Sequence, residues 1–355
     1  MTPQERKAWV RRMGARCEWW CRRPEAAIEP AWEIVDAHCH FWPERSLPDP
    51  ADNSRELQTS RYLPDEFLRD STRGHAVKQC VYVECGSAYF SEGPEELRPV
   101  GESEFAAELA EQLARSQSAT ELSAVVAHAD MRSSNLAAVL EAHEKAGGGL
   151  LRGVRHSAAR LEDPSARLIA GAAPPGLYRD QDFRRGVALV GECGLVFDAF
   201  QFHFQLDDLA GLARFASNTT IVVNHLGGPV GFRPKSEPTD PVFAAWAERI
   251  EMLAELPNLV MKLGGLASIV TGYDGYQRDE PPLAREFVDD RAAYFHHAIR
   301  CFGAERCMFE SNFPVDSVSI SYTALWNAYK LIAIDYSAAD RRDLLAETAR
   351  RVYRL

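Results

Sequence analysis

Residues 33–40 read EIVDAHCH, and this stretch begins the part of the chain that decides the fold. An apolar, β-rich run ends here in two histidines, His38 and His40, which are two positions apart. Because side chains on a strand alternate between its two faces, both imidazoles point to the same side. Two converging imidazoles form a natural grip for a divalent metal ion. The stretch therefore predicts a strand that ends in a pair of metal ligands.

Runs of the same kind recur along the chain and alternate with helical stretches. The predicted strands are Glu33–His38, Gln79–Cys85, Ser123–Ala129, Leu150–His156, Gly194–Phe200, Thr219–Asn224, Leu259–Leu263 and Arg306–Glu310. The predicted helices are Phe105–Arg115, Asn135–Ala146, Asp182–Val190, Leu206–Ala216, Val242–Leu256, Asp289–Phe302, Tyr322–Ile334 and Ser337–Tyr353. Alternating strands and helices indicate a parallel sheet. Eight such units predict a (β/α)8 TIM barrel, in which the loops after the strands form the active face.

The composition is that of a globular protein and excludes several classes of function. Of the 355 residues 46% are hydrophobic, and 40 basic against 51 acidic residues give a formal net charge of −11. This acidic balance argues against nucleic acid as a partner. No apolar run is long enough to span a membrane, so no transmembrane helix is expected. The expected partner is a small-molecule substrate. The long polar segment after the first strand, Trp42–Pro64, is a candidate lid.

The chain begins with a charged segment that does not resemble a secretory signal. We expect residues 1–30 to form an N-terminal helical arm that packs on the barrel, residues 31–355, or on a partner subunit in a homo-oligomer. The eight cysteines form no CxxC pair, which favours reduced thiols and a cytoplasmic location.

Most of the ten histidines lie at or just after the ends of predicted strands. These six are His38, His40, His128, His156, His203 and His225. The carboxyl ends of the strands meet at one rim of a barrel, so we expect these imidazoles to line one cavity at that rim. For any single histidine, a buried ring bonded to a backbone carbonyl is the ordinary alternative.

Four motifs in order along the chain, VDAHCHFW, LRGVRH, VVNHLGGP and CMFESNFPVD, resemble the amidohydrolase superfamily. The resemblance runs from about residue 33 to residue 355 and is greatest to the lactonase-type branch of amidohydrolase family 2. That branch includes sugar lactonases and the 2-pyrone-4,6-dicarboxylate lactonase. The resemblance implies a distorted TIM barrel with its site at the carboxyl ends of the strands.

The resemblance also implies a set of site residues. The metal ligands would be His38, His40 and His203, holding Zn²⁺ or Mn²⁺, with His225 binding or polarising the substrate carbonyl. Some members of the branch work without metal, so metal-free catalysis remains an alternative.

The motif after the last strand departs from the family pattern. The family has Gly-Ser-Asp-x-Pro there, whereas this chain reads ESNFP, with Asn312 at the position of the acid. An amide does not accept a proton from water at neutral pH, so Asn312 orients water or substrate, or another group is the base. Asp316, Glu84 and His225 are the candidates. Alternatively, Asp316 caps a helix and Glu84 orients a ligand histidine.

Four further residues are candidates for substrate binding. Arg155 suits a substrate carboxylate, although a salt bridge to an acid is the alternative. His128, His156 and Trp42 are the other three. Lys262, in the middle of a strand, is expected in a structural ion pair.

The pattern predicts a hydrolase that opens a lactone or related cyclic ester of a small, carboxylated molecule. A non-oxidative decarboxylase of an aromatic or unsaturated acid is the second hypothesis. The third is a catalytically silent barrel that binds a ligand, with Asn312 as the inactivating change.

Overall fold

Eight parallel strands form a barrel in a computed structural model, which describes residues 17–48, 56–116, 118–162, 172–231 and 240–355. The barrel strands, in the order in which they pair, are β1 (Glu33–Cys39), β4 (Ala76–Val83), β5 (Glu121–His128), β6 (Leu151–Arg155), β7 (Val196–Ala199), β8 (Ile221–Val223), β9 (Leu259–Leu263) and β10 (Cys307–Phe309). The segment after β10 closes the barrel, because Asn312 N donates to His38 O at 2.9 Å and His40 N donates to Phe313 O at 2.8 Å. The predicted (β/α)8 barrel is confirmed.

Helices surround the barrel. They are α1 (Pro64–Ser71), α2 (Val100–Arg115), α3 (Leu136–Ala146), α4 (Gln181–Glu192), α5 (Leu206–Phe215), α6 (Pro241–Ala254), α7 (Ala284–Phe302), α8 (Tyr322–Ala333), α9 (Ala338–Arg342) and α10 (Thr348–Tyr353), with a π-helical turn at Asp343–Glu347 between the last two. In the described part of the chain, no helix combines the length and apolar character needed to cross a bilayer.

Alternation of side chains along the strands divides the core into two layers. On β1, Val35 and Ala37 belong to the inner cluster of small aliphatic side chains, whereas Ile34 and Cys39 pack outward against the helices. The inner cluster also contains Tyr353, whose hydroxyl donates to Asp198 Oδ1 at 2.8 Å. The end of the chain therefore closes the amino end of the barrel and leaves the opposite rim for a site.

Three sequence-based boundaries need correction. The segment Trp42–Pro64 was expected to be a polar loop, but it contains an antiparallel pair of strands, β2 (Trp42–Pro48) and β3 (Glu56–Tyr62). Helix α7 begins five residues before the predicted Asp289, because the capping side chain of Glu286 accepts from Leu283 N. The last predicted helix is interrupted by the π-helical turn.

The described part of the N-terminal arm packs on the barrel. Both Trp19 and Trp20 are buried, and Trp20 Nε1 donates to Ser317 O at 3.1 Å. Trp19 Nε1 donates to Asp279 O at 3.1 Å. Residues 1–16 of the predicted arm lie outside the described residues.

Candidate active site

The two histidines of β1 face the interior of the barrel because a β-bulge shifts the strand. The register of β1 against β4 slips between Asp36 and Cys39, which changes the alternation after the inward-facing Ala37. Bulges of this kind re-aim side chains next to active sites. As a result, His38 Nε2 and His40 Nε2 lie 3.2 Å apart, and both rings are buried.

The protonation of His40 follows from its partners. Its Nδ1 lies 2.7 Å from the carbonyl oxygen of Val83, which can only accept, so we assign the proton to Nδ1 and a lone pair to Nε2. Burial, and next the charge of Arg155, lower the pKa of His40 to about 3. Burial, followed by the charge of Lys262, holds the pKa of His38 well below its usual range. Both imidazoles are therefore neutral at pH 7, as metal ligation requires.

Glu310 is the acid of this site. It follows β10, is fully buried, and places Oε1 2.6 Å from His225 Nδ1 and 3.1 Å from His225 N. Its Oε2 lies 2.8 Å from His38 Nδ1 but outside the angular range of a hydrogen bond, so this buried oxygen makes none in the structure. A Cβ atom at Gly264 would overlap Glu310, and one at Gly265 would overlap the ring of His225. The Gly-Gly pair after β9 therefore makes room for this acid and its imidazole.

The cavity lined by His38, His40, His225 and Glu310, here called the cup, can hold a divalent metal ion. A tetrahedral ion with nitrogens at 2.0–2.1 Å separates two imidazole ligands by about 3.3 Å, close to the 3.2 Å between His38 and His40. The ligand atoms of His38, His225 and Glu310 also lie within 4.8 Å of one another. The two donor sets share His38, and the buried Oε2 of Glu310 supplies a negative charge beside both.

Each positive charge near the histidines is paired with a carboxylate. Arg155 Nε donates to Glu84 Oε1 at 2.6 Å, Nη2 donates to the Glu84 carbonyl oxygen at 2.6 Å, and Nη1 lies 3.4 Å from His38 Nε2. Burial raises the pKa of Glu84, but the charge of Arg155, the charge of His128 and the hydrogen bond from Arg155 together outweigh it, and the net shift is downward. Lys262 Nζ donates to Asp198 Oδ2 at 2.7 Å, which is the structural ion pair expected for it.

Asn312 and Asp316 bind each other. The amide Nδ2 of Asn312 donates to Asp316 Oδ1 at 2.8 Å, and Ala267 N donates to Asp316 Oδ2 at 3.2 Å. Burial raises the pKa of Asp316 well above its usual range. Asp316 begins a short 3-10 turn, Asp316–Val318, whose N-cap is Val315, so its side chain is not the cap considered as the alternative.

The residues expected to bind substrate lie along one side of the cup. Trp42 stacks on His40 with ring centroids 6.4 Å apart. His128 Nδ1 lies 3.1 Å from the carbonyl oxygen of Arg155, and its ring contacts Tyr89 and His156. His156 Nδ1 accepts from Met131 N at 3.2 Å, and burial lowers its pKa to about 4.

His203 lies apart from the converging ligand atoms. It begins a 3-10 turn after β7, its Nδ1 accepts from Val230 N at 3.2 Å, and its ring contacts Phe204. In the described part of the chain, Glu310 rather than His203 joins His38 and His225. No role was predicted for Glu310, although it ends the predicted strand Arg306–Glu310 and strand ends are where the other site residues were expected.

Comparison with known proteins identifies the class to which this barrel belongs. Residues 35–355 match the family described as Amidohydrolase. The chain is 28% identical to an L-fucono-1,5-lactonase of Burkholderia multivorans, over 90% of this chain and 96% of that protein. It is 26% identical to the uncharacterized protein y4mH of Sinorhizobium fredii, over 93% of this chain and 99% of that protein.

A solved structure agrees with these sequence relatives. An amidohydrolase of Burkholderia multivorans, crystallised with bound zinc, superposes with a TM-score of 0.68 at 27% identity, over 91% of this chain and 99% of that one. The chain therefore belongs to the amidohydrolase family and is a hydrolase-type enzyme, which confirms the resemblance seen in its four motifs.

Proposed function

We propose that this enzyme hydrolyses the cyclic ester of a small lactone. The observation that carries the proposal is the 2.6 Å contact between His225 Nδ1 and Glu310 Oε1, beside His38 and His40 in one cup. A carboxylate that accepts from Nδ1 leaves Nε2 of the imidazole as a proton acceptor, which is how a histidine base is oriented in many hydrolases. The L-fucono-1,5-lactonase relative supports a sugar lactone as the substrate class.

His225 is the general base of the proposed reaction. Its Nε2 takes a proton from water as the water oxygen adds to the lactone carbonyl carbon. When the ring C–O bond breaks, the same imidazole returns the proton to the leaving oxygen, and the product is a hydroxy acid. The ionised Glu310 stabilises the transient imidazolium.

Three other candidates suit the base role less well. Asp316 is bound by Asn312 and Ala267, and burial favours its neutral acid form. Asn312 has no basic group, and Glu84 is held as a weak base by its ion pair with Arg155.

Arg155 stabilises the negative charge that forms on the carbonyl oxygen. Its Nη1 lies 3.4 Å from His38 Nε2, whereas Nε and Nη2 are occupied by Glu84. A donor fixed in a buried cup is effective because it needs no reorganisation during the reaction. Because Glu84 occupies two of the guanidinium nitrogens, Arg155 offers a substrate carboxylate one nitrogen and cannot bind it in a bidentate way.

A divalent ion would be held by His38 and His40 through Nε2. The zinc bound to the amidohydrolase relative supports zinc as that ion. When bound, it supplies Lewis-acid polarisation of the substrate carbonyl. Metal content of the purified full-length protein tests this assignment. We expect His40→Gln to contain one equivalent less than the wild type and His203→Gln to contain the same amount as the wild type; an unchanged metal content in His40→Gln would contradict the assignment.

Acid release from a panel of 1,4- and 1,5-sugar lactones, followed with a pH indicator, tests the proposed reaction. We expect turnover by the wild type and its loss in His225→Asn, with the variant's unfolding temperature measured to confirm that it folds. Release of CO2 from aromatic acids without lactone turnover would instead identify a decarboxylase. Binding of a lactone without turnover of either class would identify a silent barrel.

A further inference from the structure

A second group of metal-ligating side chains lies outside the barrel, between helices α6 and α7. Glu251 extends from α6, and His297 and Cys301 extend from α7. His297 Nε2 lies 3.6 Å from Glu251 Oε1 and 3.5 Å from Cys301 Sγ. All three ligand atoms lie within 4.8 Å of one another. A nitrogen, a sulfur and an oxygen therefore converge at one point of the outer surface.

The two helices hold these side chains in place. His297 and Cys301 are four residues apart, so they are neighbours on one face of α7. The ring of His297 packs against Trp246 and Phe243 of α6, with centroid distances of 5.4 and 5.9 Å. Helix packing thus fixes the imidazole, and the other two ligands adjust around it.

Two of the three separations between ligand atoms match those of a tetrahedral zinc site. With Zn–S of 2.3 Å and Zn–N of 2.0–2.1 Å, ideal tetrahedral angles separate sulfur from nitrogen by about 3.5 Å. The same construction separates nitrogen from a carboxylate oxygen by about 3.4 Å. The two separations in the structure agree with these values to about 0.2 Å, so an ion needs little rearrangement of the helices.

We propose that Glu251, His297 and Cys301 bind a zinc-class divalent ion, with water in the fourth position. Thiolate and imidazole ligands select zinc over magnesium or calcium. His297 also lines an open surface cavity with His296, Arg300 and Tyr336, which gives water access to the ion. Binding joins α6 to α7 and stabilises the folded chain, and it requires none of the residues of the barrel cup.

Two neighbours oppose binding and set its strength. In the metal-free protein, His297 Nε2 also lies 3.3 Å from the carbonyl oxygen of Ala247, a contact that the ion replaces. The guanidinium of Arg300 acts on Cys301 as a nearby positive charge. The negative charges of the Glu251 carboxylate and of the thiolate offset both effects once the thiol has lost its proton.

Cobalt(II) absorption separates this site from the barrel site. A thiolate bound to cobalt(II) absorbs in the near ultraviolet by charge transfer from sulfur, and the His38, His225 and Glu310 group contains no cysteine. Full-length protein is stripped with a chelator and titrated with cobalt(II). We expect a charge-transfer band in the wild type that reaches its maximum when one cobalt ion per chain occupies this site. The band should be lost in Cys301→Ser.

Cys193→Ser is the matched control, because Cys193 is an exposed free cysteine on another part of the surface. It should keep the band, and Glu251→Gln should weaken cobalt binding at least tenfold. Zinc should raise the unfolding temperature of the wild type more than that of Cys301→Ser. A band that persists in Cys301→Ser, or no band in the wild type, overturns the proposal. Neither result bears on the proposed lactone hydrolysis, because that reaction is measured in a separate assay.

Discussion

The carboxylate of Glu310 lies 2.6 Å from Nδ1 of His225, and its other oxygen lies 2.8 Å from Nδ1 of His38. The first distance is typical of a charge-assisted hydrogen bond, whereas the second contact lies outside hydrogen-bond geometry and places the carboxylate beside the ring of His38. One buried acid therefore orients His225 by a hydrogen bond and lies beside His38. In this chain, the acid that the last-strand motif lacks at Asn312 is present two residues earlier.

Replacing Glu310 with Gln should impair catalysis and metal binding together. The amide keeps the shape of the side chain but removes the negative charge beside the two histidines. Loss of a partner of this kind lowers metal affinity or activity by about 10–100-fold. Lactone turnover and zinc affinity of the purified variant measure both effects.

Glu305→Gln is the control, because Glu305 is an exposed acid just before β10. It should leave both quantities unchanged. Unaltered zinc affinity and turnover in Glu310→Gln would show that the acid is only a packing group.

Replacing Asn312 with Asp should destabilise the protein without increasing its activity. The amide of Asn312 donates to Asp316 Oδ1, and a second acid there replaces a donor with an acceptor beside a buried carboxyl group. Loss of a buried hydrogen bond costs about 1–3 kcal/mol of the free energy of unfolding. Urea denaturation measures it.

The exchange Asn312→Asp with Asp316→Asn restores a donor to the pair, so it should recover most of that stability. Greater turnover in Asn312→Asp alone would contradict this interpretation and would identify a silenced catalytic position.

The sequence was sufficient to predict the barrel because the core repeats a local pattern. A helical stretch follows every predicted strand except the first, and all eight predicted strands overlap observed ones. The hairpin β2–β3 was not predicted, because WPERSLP and ELQTSRY are mostly polar and the first of them contains two prolines. Strand pairing there depends on partners that no local pattern shows.

The site was predictable only in part. The spacing of His38 and His40 correctly placed both rings on one side, but the bulge that turns them inward is a property of strand register. Glu310 was read as the end of a strand, since its partners His38 and His225 are distant in sequence. Arg155 was expected to face substrate, and its pairing with Glu84 depends on two strands meeting at the rim.

The ion pair of Arg155 and Glu84 should be important for stability. Arg155→Met leaves the carboxylate of Glu84, which is 12% exposed, without its partner. Breaking a buried ion pair on one side typically costs about 3–5 kcal/mol of the free energy of unfolding. The double variant with Glu84→Gln removes the unpaired charge and should recover part of that loss in urea denaturation. A single variant as stable as the wild type would rule out a structural role for the pair.

A buried acid outside the cup should make stability depend on pH. Burial, and next the charge of Glu84, raise the pKa of Glu102 to about 7, although its Oε1 accepts from Tyr82, Cys85 and Ser87. The unfolded chain ionises this group near its usual pKa of about 4.3, so between that pH and about 7 the folded state binds more protons. The free energy of unfolding should therefore fall as pH rises through this window, by about 1.4 kcal/mol per unit of pKa difference. Glu102→Gln lacks this titrating group, so its free energy of unfolding should not fall in this way. Urea denaturation of both proteins from pH 5 to pH 8 should therefore show the variant gaining stability relative to the wild type as the pH rises. A difference that stays constant across that range would show that Glu102 is ionised in the folded protein throughout.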